Sequence, residues 1–164
     1  DGCPSGHYAT DGTCELTEPG YYTNDLPPYE QFPCQPGTYQ PSYGQLDCID
    51  ASPGHYVADA ASASQTPCGV GSYQPDSGES SCIQSEPGNY VSDEGSIRQN
   101  QCSSGTYQPS SGATDCLDAS PGYYVTGFGS EEQTPCAAGT YQILPGATSC
   151  FQAGPGFHLS LIHI

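Results

Sequence analysis

The sequence predicts a small disulfide-rich all-β protein, an elongated solenoid-like stack of 17-residue hairpin half-units with almost no helix. Three observations predict it. The ten cysteines stand at 3, 14, 34, 48, 68, 82, 102, 116, 136 and 150, so beyond the first gap the intervals alternate 20 and 14, and the period is 34. Glycines at 20, 37, 54, 71, 88, 105, 122, 139 and 156 recur every 17 residues, each of the first eight followed two positions later by Tyr. Leu, Ile, Val and Phe together make only 21 of 164 residues. A chain so poor in apolar area cannot offset the entropy of ordering its backbone unless something else constrains it. Stacked units, stapled by disulfides, supply that constraint.

Residues 1–16 carry Cys3 and Cys14 and read as a shortened first half-unit. Residues 17–33 keep Gly20 and Tyr22 without a cysteine, an unstapled half-unit. Three full repeats follow at 34–67, 68–101 and 102–135, then a partial one at 136–156. The first halves read CQPGTYQPSYGQLDC, CGVGSYQPDSGESSC, CSSGTYQPSSGATDC and CAAGTYQILPGATSC. In the second halves the two cysteine positions hold Ala51 and Gln65, Ser85 and Gln99, Ala119 and Gln133. Two residues lost together each time argue for two residues bonded together. The pairing inferred from this symmetry is Cys3–Cys14, Cys34–Cys48, Cys68–Cys82, Cys102–Cys116 and Cys136–Cys150. The competing register, Cys14–Cys34 and onward, stays open at this point and leaves Cys3 and Cys150 to pair between molecules. Each local loop of about 15 residues contributes roughly 3 kcal/mol by chain entropy.

Within a half-unit, Pro-Gly precedes the repeat Tyr at Gly37, Gly54, Gly88 and Gly122. Pro and Gly suit the central positions of a type II turn, because Gly accepts a positive φ. Short extended stretches such as TYQP and HYV follow, rich in strand-favouring Tyr and Val. A second glycine seven residues on, replaced by Pro27 and Ala61 in two half-units, marks the hairpin reversal. Gly or Pro interrupts every window long enough for a helix. The repeat-structural set is therefore Gly37, Tyr39, Gly54, Tyr56, Gly71, Tyr73, Gly88, Tyr90, Gly105, Tyr107, Gly122, Tyr124, Gly139 and Tyr141. The expected core is these tyrosines, laddered with the disulfides, plus Val57, Val91, Val125 and the residues after each second Cys (Ile49, Ile83, Leu117, Phe151).

The pattern C-x-x-G-T-Y-Q-P-x-x-G-x-x-x-C followed by P-G-x-Y resembles the ephrin-receptor-like cysteine-rich repeat, from residue 3 to 156. It is also similar to the one-disulfide hairpin module of tumour-necrosis-factor-receptor repeats. The resemblance implies an extended, stapled extracellular rod and no single activity. That family joins half-units through Cys-x-x-Cys. Here the second Cys is Ala51, Ser85 or Ala119, so alternate half-units lack a staple and are expected to lean on their neighbours.

One basic residue, Arg98, faces eighteen acids, a net charge of −17. Nucleic acid and anionic lipid both require clustered Lys and Arg, so neither is a partner. No apolar run is long enough to span a membrane as a helix. No Met occurs, which reads as a processed chain or a fragment. The even cysteine count points to an oxidising, extracellular or cell-surface location. His7, His55, His158 and His163 show no metal spacing, and His55 occupies the slot that holds Asn89 and Tyr123 elsewhere. Asp47 with Asp50 and Asp115 with Asp118 lack the dense alternation of a calcium loop and read as solvated acidic faces. No catalytic motif is present, so no enzyme, metal or cofactor is expected. There is no N-x-S/T sequon. Thr38, Thr106 and Thr140 are candidate O-glycan carriers, with turn formation as the competing role. Residues 157–164 break the pattern. Their LSLIHI run reads as adapter-derived, or else as an apolar strand that docks on another copy.

These readings converge on a structural protein, a protomer or segment of an extracellular filament or surface appendage such as a flagellar hair. Its partners are other copies of itself, joined head to tail or laterally. The alternative is the stalk of a receptor or adhesin. The chief departures from consensus, 21–33 and 127–132, form no convincing binding patch.

Overall fold

A computed structural model describes residues 2–155, so the off-pattern tail at 157–164 lies outside the described residues. Those residues form eighteen short strands paired as nine antiparallel two-stranded hairpins, with no helix. The first hairpin is the longest, His7–Thr10 against Thr13–Leu16. Asp11 and Gly12 join its strands at φ 47° and 80°, the left-handed pair that a two-residue type I′ turn requires. Every later strand has two residues, as in Thr38–Tyr39 against Ile49–Asp50 and His55–Tyr56 against Thr66–Pro67.

The Pro-Gly turn sets where each of these hairpins begins. The Thr38 N–H donates to the Gln35 carbonyl at 2.9 Å across Pro36-Gly37, with Gly37 at φ 90°. Across the strand pair the Ala51 N–H donates to the Gly37 carbonyl at 2.8 Å, closing the half-unit. The same closure joins Cys34 to Gly20, Cys68 to Gly54, Cys102 to Gly88, and Ala119 to Gly105.

The chain forms two compact units. One takes in the residues up to Ile83 together with Asp93–Arg98. The other takes in Gln84–Ser92 together with the residues from Gln99 on. The division passes through the 68–101 repeat rather than between repeats. Inside each unit the half-units stack by one rule.

From Thr17 to Gln108 buried positions fall three to a half-unit, three residues apart. In the first unit they are Thr17, Gly20 and Thr23, then Cys34, Gly37 and Gln40, then Ala51, Gly54 and Val57. In the second they are Ser85, Gly88 and Val91, then Cys102, Gly105 and Gln108. The core is thus the turn itself, a small residue, a glycine and one mid-sized side chain. This corrects the expected ladder of tyrosine rings. Val57, Val91 and Val125 are buried, but Ile49, Ile83, Leu117 and Phe151 are 45–57% exposed, and the repeat tyrosines are half-buried. The half-units meet backbone to backbone at their turns, which leaves no room for a ring between them. Each ring instead pairs across its own hairpin, as Tyr39 opposite Ile49 and Tyr107 opposite Leu117. Tyr141 and Phe151 place their centroids 6.0 Å apart, the cross-strand contact that stabilises an isolated pair of strands.

The repeat interface as the candidate functional site

Three backbone hydrogen bonds join one half-unit to the next. In the first unit, the turn glycine donates to the carbonyl 20 residues on: Gly20 to Gln40, Gly37 to Val57, Gly54 to Gln74, at 2.7–2.8 Å. The residue three beyond the glycine donates 22 residues on: Thr23 to Gln45, Gln40 to Ser62, Val57 to Glu79, Gln74 to Ser96. The loop residue at the second-glycine position donates 27 residues back: Gly44 to Thr17, Ala61 to Cys34, Gly78 to Ala51, Gly95 to Cys68. The second unit repeats this within itself, as Gly88 to Gln108, Val91 to Ala113 and Gly112 to Ser85. Backbone groups pair regardless of side chain, so the sequence varies freely around a fixed interface.

Glycine is demanded here twice over. Gly37 has a positive φ, and a Cβ on it would lie 2.1 Å from the Gly78 carbonyl oxygen. Gly54 meets the Gly95 carbonyl in the same way, and in the second unit Gly88 meets that of Gly129 and Gly105 that of Gly146. Each of these four turns therefore touches the half-unit after next as well as its neighbour.

Two kinds of half-unit alternate. The stapled kind carries a disulfide and a buried Gln. All ten cysteines are bonded, as Cys3–Cys14, Cys34–Cys48, Cys68–Cys82, Cys102–Cys116 and Cys136–Cys150. Gln40 is 4% exposed. Its Nε2 donates to the Asp47 carbonyl at 2.8 Å and its Oε1 accepts the Ser42 N–H at 3.1 Å. Gln74, Gln108 and Gln142 brace their loops identically. The unstapled kind places Val or Thr at that position. Its Gln, standing where the second cysteine would be, reaches back across the hairpin. The Ser52 N–H donates to Gln65 Oε1 at 2.7 Å, that of Glu86 to Gln99 at 2.7 Å, that of Ser120 to Gln133 at 2.6 Å, and that of Glu18 to Gln31 at 3.3 Å. A hydrogen-bonded latch thus occupies the place of the staple, beside the backbone bonds by which these half-units lean on their neighbours. The alternation of Gln40, Val57, Gln74 and Val91 in one frame was the signal for the brace, and that of Cys48, Gln65, Cys82 and Gln99 in another for the latch.

In most half-units the slot after the turn glycine holds a residue whose side chain bonds back across the turn. Thr38, Thr106 and Thr140 donate their hydroxyls to the carbonyls of Gln35, Ser103 and Ala137 at 2.7–2.8 Å. Asn89 donates to the Pro87 carbonyl, and His55 Nδ1 stands 3.3 Å from that of Pro53. These residues lock the turn, and a sugar on Thr38, Thr106 or Thr140 would remove the donor that does so.

Among the described residues no group of three or more His, Cys, Asp or Glu converges to hold a metal ion. Asp50 and Asp118 instead rest beside Gly78 and Gly146 of later loops. A shallow depression of about 530 Å³ includes Ser5, Gln40, Gln45 and Asp47, yet the Gln40 amide there is already bonded on both sides. Tyr8 is held above the usual phenol range, first by desolvation and then by the carboxylates of Glu15 and Glu18. No described helix is long and apolar enough to cross a membrane. Compared with known proteins, the chain matches no family model and no curated sequence.

Proposed function

We propose that this chain is a structural protein, a segment or protomer of an extracellular filament or surface appendage. The observation that carries the reading is the backbone interface, repeated from residue 17 on within each unit by the same kinds of hydrogen bond. Such an interface specifies a scaffold that extends by addition of like units and spends its chemistry on holding its own turns. The fully oxidised cysteines and the many acidic residues support a location outside the reducing cytosol and a soluble, self-repelling surface. The similarity of the cysteine, glycine and tyrosine pattern to ephrin-receptor-like repeats supports the same class of extracellular spacer.

The test is negative-stain electron microscopy of native, non-reduced material beside a dithiothreitol-treated control. Uniform fibres that fall apart on reduction are expected. Single short particles at all concentrations would refute the filament and leave the stalk of a receptor or adhesin.

A further inference from the structure

Of the thirteen tyrosines only Tyr43 and Tyr123 are exposed, by 62% and 36%, and the rest are half-buried. Tyr43 stands in the loop of half-unit 34–50, where the later stapled half-units carry Ser77, Ser111 and Pro145. That loop is fixed on both sides of the ring. The Ser42 N–H donates to Gln40 Oε1 at 3.1 Å, and the Gly44 N–H to the Thr17 carbonyl at 2.9 Å. The Gln45 N–H donates to the Thr17 hydroxyl at 2.9 Å, and Gln45 Nε2 to the Tyr43 carbonyl at 3.0 Å. A braced loop thus presents an exposed phenol.

The composition makes that phenol the first target of an oxidant. The chain has no Met and no Trp, and all its cysteines are bonded. No thioether, indole or thiol competes for one-electron oxidation. Tyrosine is the next side chain to give up an electron, and its phenoxyl radical is consumed by joining the edge of a second ring. The half-buried rings offer that edge poorly. Tyr22 places its centroid 5.7 Å from that of Phe32, and Tyr39 pairs across its hairpin with Ile49. Tyr43 is the one exposed tyrosine among the described residues of the first compact unit.

We propose that Tyr43 is a covalent coupling site, at which a peroxidase and hydrogen peroxide join two copies of this chain through a dityrosine bond. Each of two Tyr43 phenols gives up one electron and one proton, and the peroxide is reduced to two waters. The two phenoxyl radicals then bond through the carbons ortho to their oxygens. The hydrogen on each of those carbons is lost as a proton and each oxygen regains one, which restores both phenols. Joining Tyr43 to Tyr43 makes a self-complementary, two-fold pair, and one such site per chain stops the product at a dimer. The bond resists thiols, so it persists where the disulfide staples are reduced. The proposal goes beyond the filament reading, since the coupling requires contact between two copies and no fibre.

The oxidised full chain, treated with peroxidase and hydrogen peroxide, tests this. Raised ionic strength screens the repulsion between copies. The parent should give a dimer that survives dithiothreitol, shows dityrosine fluorescence, and yields on digestion a peptide pair joined at Tyr43. Tyr43→Phe removes one exposed hydroxyl and keeps the ring, and should lose that dimer. Tyr123→Phe should keep it. The proposal is overturned if Tyr43→Phe couples as fully as the parent, if the treated parent stays single, or if the joined peptides map to any other tyrosine. Fibres in the microscope without coupling would overturn the site and leave the filament. Dimers joined at Tyr43, from material that forms no fibres, would refute the filament and leave the site standing.

Discussion

At the residue scale, a small number of glycines carry the fold, and one residue stands in the wrong place. Ala61 occupies a second-glycine position at φ 57° and still makes the interface bond to Cys34. An L-residue there is strained by about 1–2 kcal/mol. Ala61→Gly should therefore stabilise the oxidised chain by about 0.5–1 kcal/mol after the extra freedom of unfolded glycine is subtracted, read as a higher midpoint in thermal unfolding. Gly37→Ala runs the other way. Its new methyl meets both the positive φ and the Gly78 carbonyl, and the loss should be roughly 2–4 kcal/mol. The 17-residue glycine period was plain in the sequence because positive φ tolerates little else. The buried role of Gln40 was not, since a glutamine normally reads as surface and only its two loop partners make it core.

At the element scale, three positions decide which kind of hairpin forms: Cys, Gln and Cys for the stapled kind, or a small residue, Val or Thr, and Gln for the latched kind. The triple variant C34A/Q40V/C48Q should convert one kind into the other. It should lose about 3 kcal/mol with its staple yet keep the hairpin, with the Gln35 amide newly protected from hydrogen exchange by the side chain introduced at position 48. Loss of all protection in 34–50 would show that the latch does not transfer. Removing a latch alone, by Gln65→Ala, should cost about 1 kcal/mol and speed exchange at the Ser52 amide. Removing a brace by Gln40→Ala should cost more, about 2–3 kcal/mol, because the buried loop loses two partners and the volume that filled it. The hairpins, their turns and the short strands were legible from Pro-Gly spacing and Tyr periodicity. The core was misread because hydrophobicity is a guide to burial only where side chains pack side chains. Here main chain packs main chain, so Ile49 and Phe151 face solvent while Ser85 and Thr17 lie inside.

At the scale of the whole molecule, charge and staples govern behaviour. A net charge of −17 on 164 residues opposes any contact between copies until it is screened. Association of the oxidised chain should rise with ionic strength, read by light scattering, and a fall would mean that attraction between opposite charges drives it. Each disulfide begins and ends inside one half-unit, so none ties one hairpin to another. Under tension along the chain, this arrangement separates strength from reach. A latched half-unit of 17 residues can be drawn out to about 55–60 Å, at roughly 3.3–3.6 Å per residue. A stapled one holds the stretch from Cys34 to Cys48 shorted across a Cα–Cα distance of 5.7 Å, however hard it is pulled. Give and stop therefore alternate along the sequence. Drawn out, the chain yields hairpin by hairpin at its hydrogen-bonded latches, and its final length is set by the redox state of its surroundings.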